Sequence, residues 1–186
     1  MKLLAISPGL GCDRVRWREV LLSGVDAFLI REKQLETRSL LDLVRWCQDT
    51  APGLELWVSD RLEVALSADC GLHAGEGYPE VPQALAPLSR PLHEARQWTA
   101  RKATRQLLLS PVFATPGKGE PWGPQRVHRF LDERPSEGPA ILALGGVDPT
   151  NAKGLCHRRL AGFAAIRPFW EGDATAAVAR FRESCA

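Results

Sequence analysis

The 186 residues contain no apolar run close to the roughly 20 needed to cross a membrane. The opening Met1-Lys2-Leu3-Leu4-Ala5-Ile6 is too short for a signal peptide. Net charge is low, +2 at pH 7, and the arginines are spread along the polar faces of helical patterns with no basic block. That balance, with no helix-turn-helix pattern, excludes a strongly basic nucleic-acid binder. There is no Cys-x-x-Cys pair. Cys12, Cys47, Cys70, Cys156 and Cys185 are odd in number and far apart, which predicts reduced thiols in a cytoplasmic protein, neither a disulfide frame nor a zinc site. No Gly-x-Gly-x-x-Gly follows the first apolar segment, which argues against dinucleotide binding.

What the chain does have is alternation. Short apolar, non-alternating segments at 3–6, 27–30, 54–58, 71–75, 88–90, 106–112, 140–144 and 161–166 read as buried strands. Helical patterns stand between them. Asp13 caps the first, Thr37 the second, and further helices are expected over 81–88, 93–103 and 124–131. Asp148-Pro149 reads as a cap with proline at the first helical position, and Asp173 caps the last helix. Trp17, Trp46, Trp98 and Trp122 are expected to cover core or helix seams. Eight strand–helix units with no break in composition predict an α/β protein: a single, compact (β/α)8 TIM barrel over 1–186, with short loops.

A barrel gathers the carboxyl ends of its strands at one mouth. There the chain places Arg31, Lys33, Asp60, Glu76, Ser89, Thr115, Lys118, Gly145, Gly146 and Arg167. Cations, hydroxyls and glycines with few carboxylates describe a phosphate or diphosphate site. The loop after the sixth strand, Thr115-Pro116-Gly117-Lys118-Gly119, is built to hold an anion: glycine backbone approaches closely, and a lysine adds mobile charge. Asp60 alternatively caps a helix beginning at Arg61, and His73 sits in an apolar strand as a packed histidine or a site residue. His93, His128 and His157 fall in helical patterns, as surface or packing residues.

The segments FLIREK (28–33), VSDR (58–61), GLHAGE (71–76), SPVFATPGK (110–118), ALGGV (143–147) and AGFAAIRPF (161–169) resemble, in order, the thiamin phosphate synthase and TenI-like thiazole tautomerase family. The resemblance implies coupling of a hydroxymethylpyrimidine diphosphate to a thiazole phosphate with release of pyrophosphate. It also implies that Arg31, Lys33 and Lys118 hold the diphosphate, Asp60 binds Mg²⁺, Ser89 and Thr115 contact substrate, and Gly146, with the start of the following helix, helps seat the thiazole phosphate. The pattern departs at five places. Leu29 replaces a Gln, Ser59 an Asn, and Arg167 a small serine, where it either binds the phosphate or plugs the site with an internal ion pair. Tyr78 stands at the second metal-binding Asp, leaving Glu76 or Glu80 to substitute. Pro111 stands at the tautomerase histidine, so a thiazole tautomerase, the alternative enzyme, would need His73 or Glu76 as its base. A non-catalytic thiazole or pyrimidine phosphate-binding barrel is the third reading. The implied partners are phosphorylated small molecules, with no nucleic acid and no membrane. Barrels of this kind often pair, so a homodimer is the assembly to test.

Overall fold

The computed structural model describes residues 1–82, 84–135 and 137–185. Eight parallel strands close into a barrel in chain order: β1 Lys2–Ile6, β2 Ala27–Ile30, β3 Glu55–Ser59, β4 Gly71–His73, β5 Leu88–Leu92, β6 Gln106–Leu109, β7 Ala140–Ala143 and β8 Gly162–Ala165. Closure is explicit, because β1 pairs with β2 (Leu4 opposite Ala27) and with β8 (Lys2 opposite Gly162). The strands lack a polar alternation because both faces are covered. Leu4, Ile6, Ala27, Leu29, Trp57, Leu108, Leu142 and Ala164 fill the interior, while Leu3, Phe28, Val58 and Leu107 pack outward under the helices.

The helices are α1 Arg14–Leu21, α2 Thr37–Thr50, α3 Leu62–Ser67, α4 Trp98–Arg101, α5 Gly123–Glu133, α6 Arg167–Trp170 and α7 Ala174–Ser184. Asp13 caps α1 by accepting from the Val15 and Arg16 N–H groups, and Asp173 caps α7 through Ala176. Trp17 is buried against Phe28 and Trp170 at 5.2 and 5.7 Å, and Trp98 and Trp122 flank Phe130. Among the described residues no helix is long and apolar enough to cross a membrane.

Several expectations are corrected. Thr37 is the first residue of α2; Glu36 stands at its cap without a side-chain bond. The helix expected over 81–88 is absent from the described residues there (Gln83 lies outside them), where Pro79, Pro82 and Pro87 remove the donors a helix needs. The stretch 93–103 gives only a 3₁₀ turn, Ala95–Gln97, and the four-residue α4. Asp148 caps a tight turn by accepting from the Thr150 and Asn151 N–H groups, and only a 3₁₀ turn, Ala152–Leu155, follows. Cys156 and Cys185 are joined in a disulfide, so the expectation of reduced thiols holds for Cys12, Cys47 and Cys70 alone. Sequence spacing could not show that pairing. It arises where the end of α7 returns to the 3₁₀ turn and brings the two Cα atoms to 5.8 Å.

Candidate functional site

A cavity of about 1020 Å³ opens at the carboxyl ends of the strands. Arg31, Lys33, Asp60, His73 and Glu76 line one side, and Thr115, Lys118, Gly145, Gly146 and Arg167 the other. Ten of the eleven expected site residues therefore meet in one place. Ser89 is the exception. It is fully buried, and its hydroxyl lies 2.9 Å from His73 Nδ1, so it reaches the cavity only through that ring. The reason is register: β5 continues three residues past Ser89, and Pro91 and His93 face the mouth instead.

The β2 exit is fastened before it presents charge. Glu32, 2 % exposed, accepts from the N–H groups of Gly9 (3.1 Å) and Gly11 (3.0 Å), tying the β1 loop to the strand end. The Arg31 N–H donates to the buried Ser7 hydroxyl at 2.8 Å. The guanidinium and ammonium on either side of Glu32 are thus held on a fixed base. Lys33 pairs with Asp60 Oδ2 at 3.1 Å. Asp60 is not a helix cap: α3 begins at Leu62 behind Arg61. Its backbone takes φ 57°, and Oδ1 accepts from the Gly75 N–H at 2.7 Å, bracing the β3 loop against the β4 loop. Burial would raise the Asp60 carboxyl, but the Gly75 N–H and Lys33 outweigh it and hold it below the usual carboxylate value.

For the implied Mg²⁺ the cavity wall offers Asp60. Asp60 is an ionised carboxylate in the cavity wall, and one carboxylate plus substrate phosphates is an ordinary way to hold Mg²⁺. Glu76, expected as a second ligand, has one carboxylate oxygen already occupied. Arg101 Nη2 at 2.7 Å and Gln97 Nε2 at 3.0 Å both donate to its Oε1, and Arg101 chiefly holds its carboxyl low. Tyr78 gives no substitute, because its hydroxyl accepts from the Leu62 N–H at the start of α3. Glu80 is turned to Arg90 at 3.5 Å. Among the described residues no group of three or more His, Cys, Asp and Glu side chains could hold a metal. The residues fit an ion carried largely by substrate oxygens.

The far side is built from backbone. The β6 loop extends the ladder onto the β7 loop, Val112 N–H donating to Leu144 and Phe113 N–H to Gly145, each at 2.9 Å. Gly145 and Gly146 take φ 94° and 67°, and a Cβ on Gly146 would stand 2.8 Å from Phe113 Cβ. Glycine is required there by conformation and by space. Asn151 Nδ2 holds the Gly146 carbonyl at 2.8 Å, turning that peptide. Thr115 and Lys118 close a turn, the Lys118 N–H donating to the Thr115 carbonyl at 3.1 Å. Arg167 opens α6, exposed into the cavity, while Trp170 of the same helix is pinned to the Ile6 carbonyl at 2.8 Å.

Sequence reasoning missed His93 and Ser110, which line the mouth. His93 was expected in a helix. Pro91 hid it by interrupting the apolar run. That proline is tolerated because β4 pairs only with Leu88 and Ser89, leaving the upper half of β5 without a neighbour on that side.

The sequence comparisons with known proteins agree on one family. A sequence model described as thiamine monophosphate synthase matches residues 12–169. The thiamine-phosphate synthase of Moorella thermoacetica is 30% identical over 184 residues, covering 89% of this chain and 85% of that protein. The Albidiferax ferrireducens protein of the same name is 32% identical over 157 residues, covering 77% and 70%. The solved structure of a thiamine phosphate pyrophosphorylase from Pyrococcus furiosus superposes with a TM-score of 0.84 at 20% identity, over 99% of this chain and 95% of that one. At that identity it speaks for the fold alone.

Proposed function

The chain belongs to the thiamine monophosphate synthase family, and on that premise we propose that it couples a hydroxymethylpyrimidine diphosphate to a thiazole phosphate and releases pyrophosphate, as a step of thiamin biosynthesis. The observation that carries the reading is the convergence of Arg31, Lys33, Lys118 and Arg167, from three different strand ends, on one cavity that also holds the Gly145-Gly146 turn. In the reaction the thiazole nitrogen attacks the methylene carbon of the pyrimidine. The bond from that carbon to diphosphate oxygen breaks, and its electron pair leaves on the diphosphate. No proton need be removed, so fixed positive charge at the leaving group is the main demand.

Arg31, Lys33 and Lys118 meet that demand. The guanidinium binds two phosphate oxygens at once, and the lysines act as point charges. Asp60 would hold Mg²⁺ together with diphosphate oxygens, and the ion when bound adds positive charge to the leaving group. Thr115 gives the substrate a hydroxyl, and the Gly145-Gly146 turn with Arg167 holds the thiazole phosphate. His73, kept neutral by burial that pushes its pKa down to about 4, forms part of the apolar floor under the pyrimidine. The phosphorylated small molecules are its partners. A homodimer completes the reading, on the habit of such barrels to pair; sedimentation velocity reports that state.

The test is direct. Purified protein with Mg²⁺ and both substrates should form thiamin phosphate and pyrophosphate in equal amounts, and Lys118→Ala should slow product formation by about 10² to 10³-fold. Absence of product at high enzyme concentration, with both substrates verified, overturns the reading.

A further inference from the structure

We propose that the Cys156–Cys185 bond is a thiol–disulfide exchange site, open to a dithiol reductant, and that its state sets how tightly the cavity holds the thiazole phosphate. This rests on the coupling reading and adds a control to it, placed outside the residues that touch substrate.

The bond joins two walls of the same cavity. Cys156 closes the 3₁₀ turn Ala152–Leu155 and Cys185 closes α7, with their Cα atoms 5.8 Å apart. Asn151 stands at the other end of that turn. Its side chain accepts from the Asp148 N–H at 3.0 Å and donates to the Gly146 carbonyl at 2.8 Å, so it holds both sides of the glycine turn. The four residues of the 3₁₀ turn rise about 8 Å, a short step from the tether to the residue that sets the Gly146 peptide. A 3₁₀ turn has poor hydrogen-bond geometry and takes its position from what anchors its ends. α7 is such an anchor: Phe181 is fully buried, and Arg182 donates to the Gly24 carbonyl at 3.0 Å and to Asp26 at 3.2 Å. Ser184, next to Cys185, lines the cavity together with Gly146 and Thr150.

Access and reactivity single out this pair. Cys156 and Cys185 are half-buried at the rim of the core, within reach of a small reductant. Cys47 and Cys70 are buried, and burial pushes both thiols up, Cys70 to about 12; burial raises Cys12 as well. The thiolate is the attacking species, so these free cysteines neither compete for the reductant nor shuffle the bond. In the exchange, one thiolate of the dithiol attacks a protein sulfur, the S–S bond breaks, and the other protein sulfur leaves as a thiolate and takes a proton. The second thiolate of the reductant then attacks the mixed disulfide. Two electrons and two protons pass from the dithiol to the protein, leaving two protein thiols and a cyclic disulfide. With the tether gone, part of the binding energy of the thiazole phosphate goes into ordering the glycine turn.

Kinetics of the oxidised and reduced full chain, with thiols counted after denaturation, test this. The count should be three in the oxidised form and five in the reduced form. Reduction should raise KM for the thiazole phosphate about fivefold or more. KM for the pyrimidine diphosphate should stay unchanged, which also reports that the protein is folded. Cys156→Ser combined with Cys185→Ser should match the reduced form with or without dithiol. By reciprocity the thiazole phosphate should protect the bond, each tenfold of coupling moving the midpoint in a redox buffer down by about 30 mV. A bond that only stabilises the fold would move the melting temperature on reduction and neither KM nor that midpoint, which overturns the switch and leaves the coupling reading standing. An equal rise in both KM values, a double variant that still responds to dithiol, or a count of five after treatment with oxidised glutathione does the same. Failure of both forms to make product from verified substrates overturns the coupling reading and the switch with it.

Discussion

At the amino ends of the strands, Lys2 reaches Glu55 Oε2 at 2.5 Å and Gln106 Oε1 at 3.2 Å, and its ammonium lies 5.9 Å from the Trp57 ring. Arg105 adds a second cation to Glu55 at 3.6 Å. At the carboxyl ends, among the described residues, Arg31, Lys118 and Arg167 make no ion pair, and Lys33 has only Asp60. One barrel therefore treats charge in two ways. Below, Lys2 and Arg105 are paired inside the fold and close the floor. Above, the cations are held by their backbones and presented to the cavity. Strand sequence alone does not separate the two, since both ends read as a charge beside an apolar run. What separates them is whether a partner of opposite sign arrives from another strand.

The sharpest way to break this contrast is Lys118→Ala. Removing a cation that lines the cavity without an ion-pair partner among the described residues should lower kcat/KM by about 10² to 10³-fold, while thermal stability stays within about 0.5 kcal/mol of the parent. A large fall in stability would mean that Lys118 is structural and the contrast false. Gly146→Ala should come next. The added Cβ would meet Phe113 in a left-handed backbone, so the turn must move, and KM for the thiazole phosphate should rise about tenfold with KM for the pyrimidine diphosphate little changed. On the floor, Lys2→Met leaves Glu55 with Arg105 alone. It should lower stability by about 1 kcal/mol in chemical denaturation and leave kcat/KM untouched. A loss of activity there would show that the floor is coupled to the mouth.

How much of this was legible follows from the same contrast. The barrel was readable because a buried parallel strand announces itself by composition, and eight such runs have few other homes. Arg31, Lys33, Thr115, Lys118, Gly145 and Gly146 were readable because each lies within a few residues of the end of an apolar run. Ser89 and His93 were exchanged because Pro91 broke the one run that continued. Glu32 was passed over as a charged neighbour, although its burial fastens the β1 loop, because its acceptors' donors lie 21 and 23 residues away. The partners of Glu76 and Tyr78 were not legible for a similar reason. Their partners, Arg101 and Leu62, come from α4 and α3, and no local pattern reports a contact between loops. The Cys156–Cys185 bond belongs to the same class.

The smallest effect separates the two ends by protons. His73 stands at the top of β4 and is bonded to Ser89 within the barrel. Burial chiefly lowers its pKa from 6.5 to about 4, with Asp60 opposing and Lys33, Arg90 and Arg31 adding to the fall. The folded protein therefore holds this ring neutral in a range where the unfolded chain protonates it. The unfolded state binds more protons there, so stability rises with pH across the window. The contribution is complete above about pH 6.5 and is lost progressively toward pH 4, amounting to about 1 kcal/mol at pH 5.5. Thermal midpoints measured from pH 7 to 4.5 should fall accordingly, and His73→Gln should flatten that slope whatever it does to the midpoint at pH 7. The Lys2→Met protein, altered only at the floor, should keep the parent slope. If the His73 variant keeps it too, the mouth histidine is not what titrates, and the solvation assigned to the upper barrel is wrong.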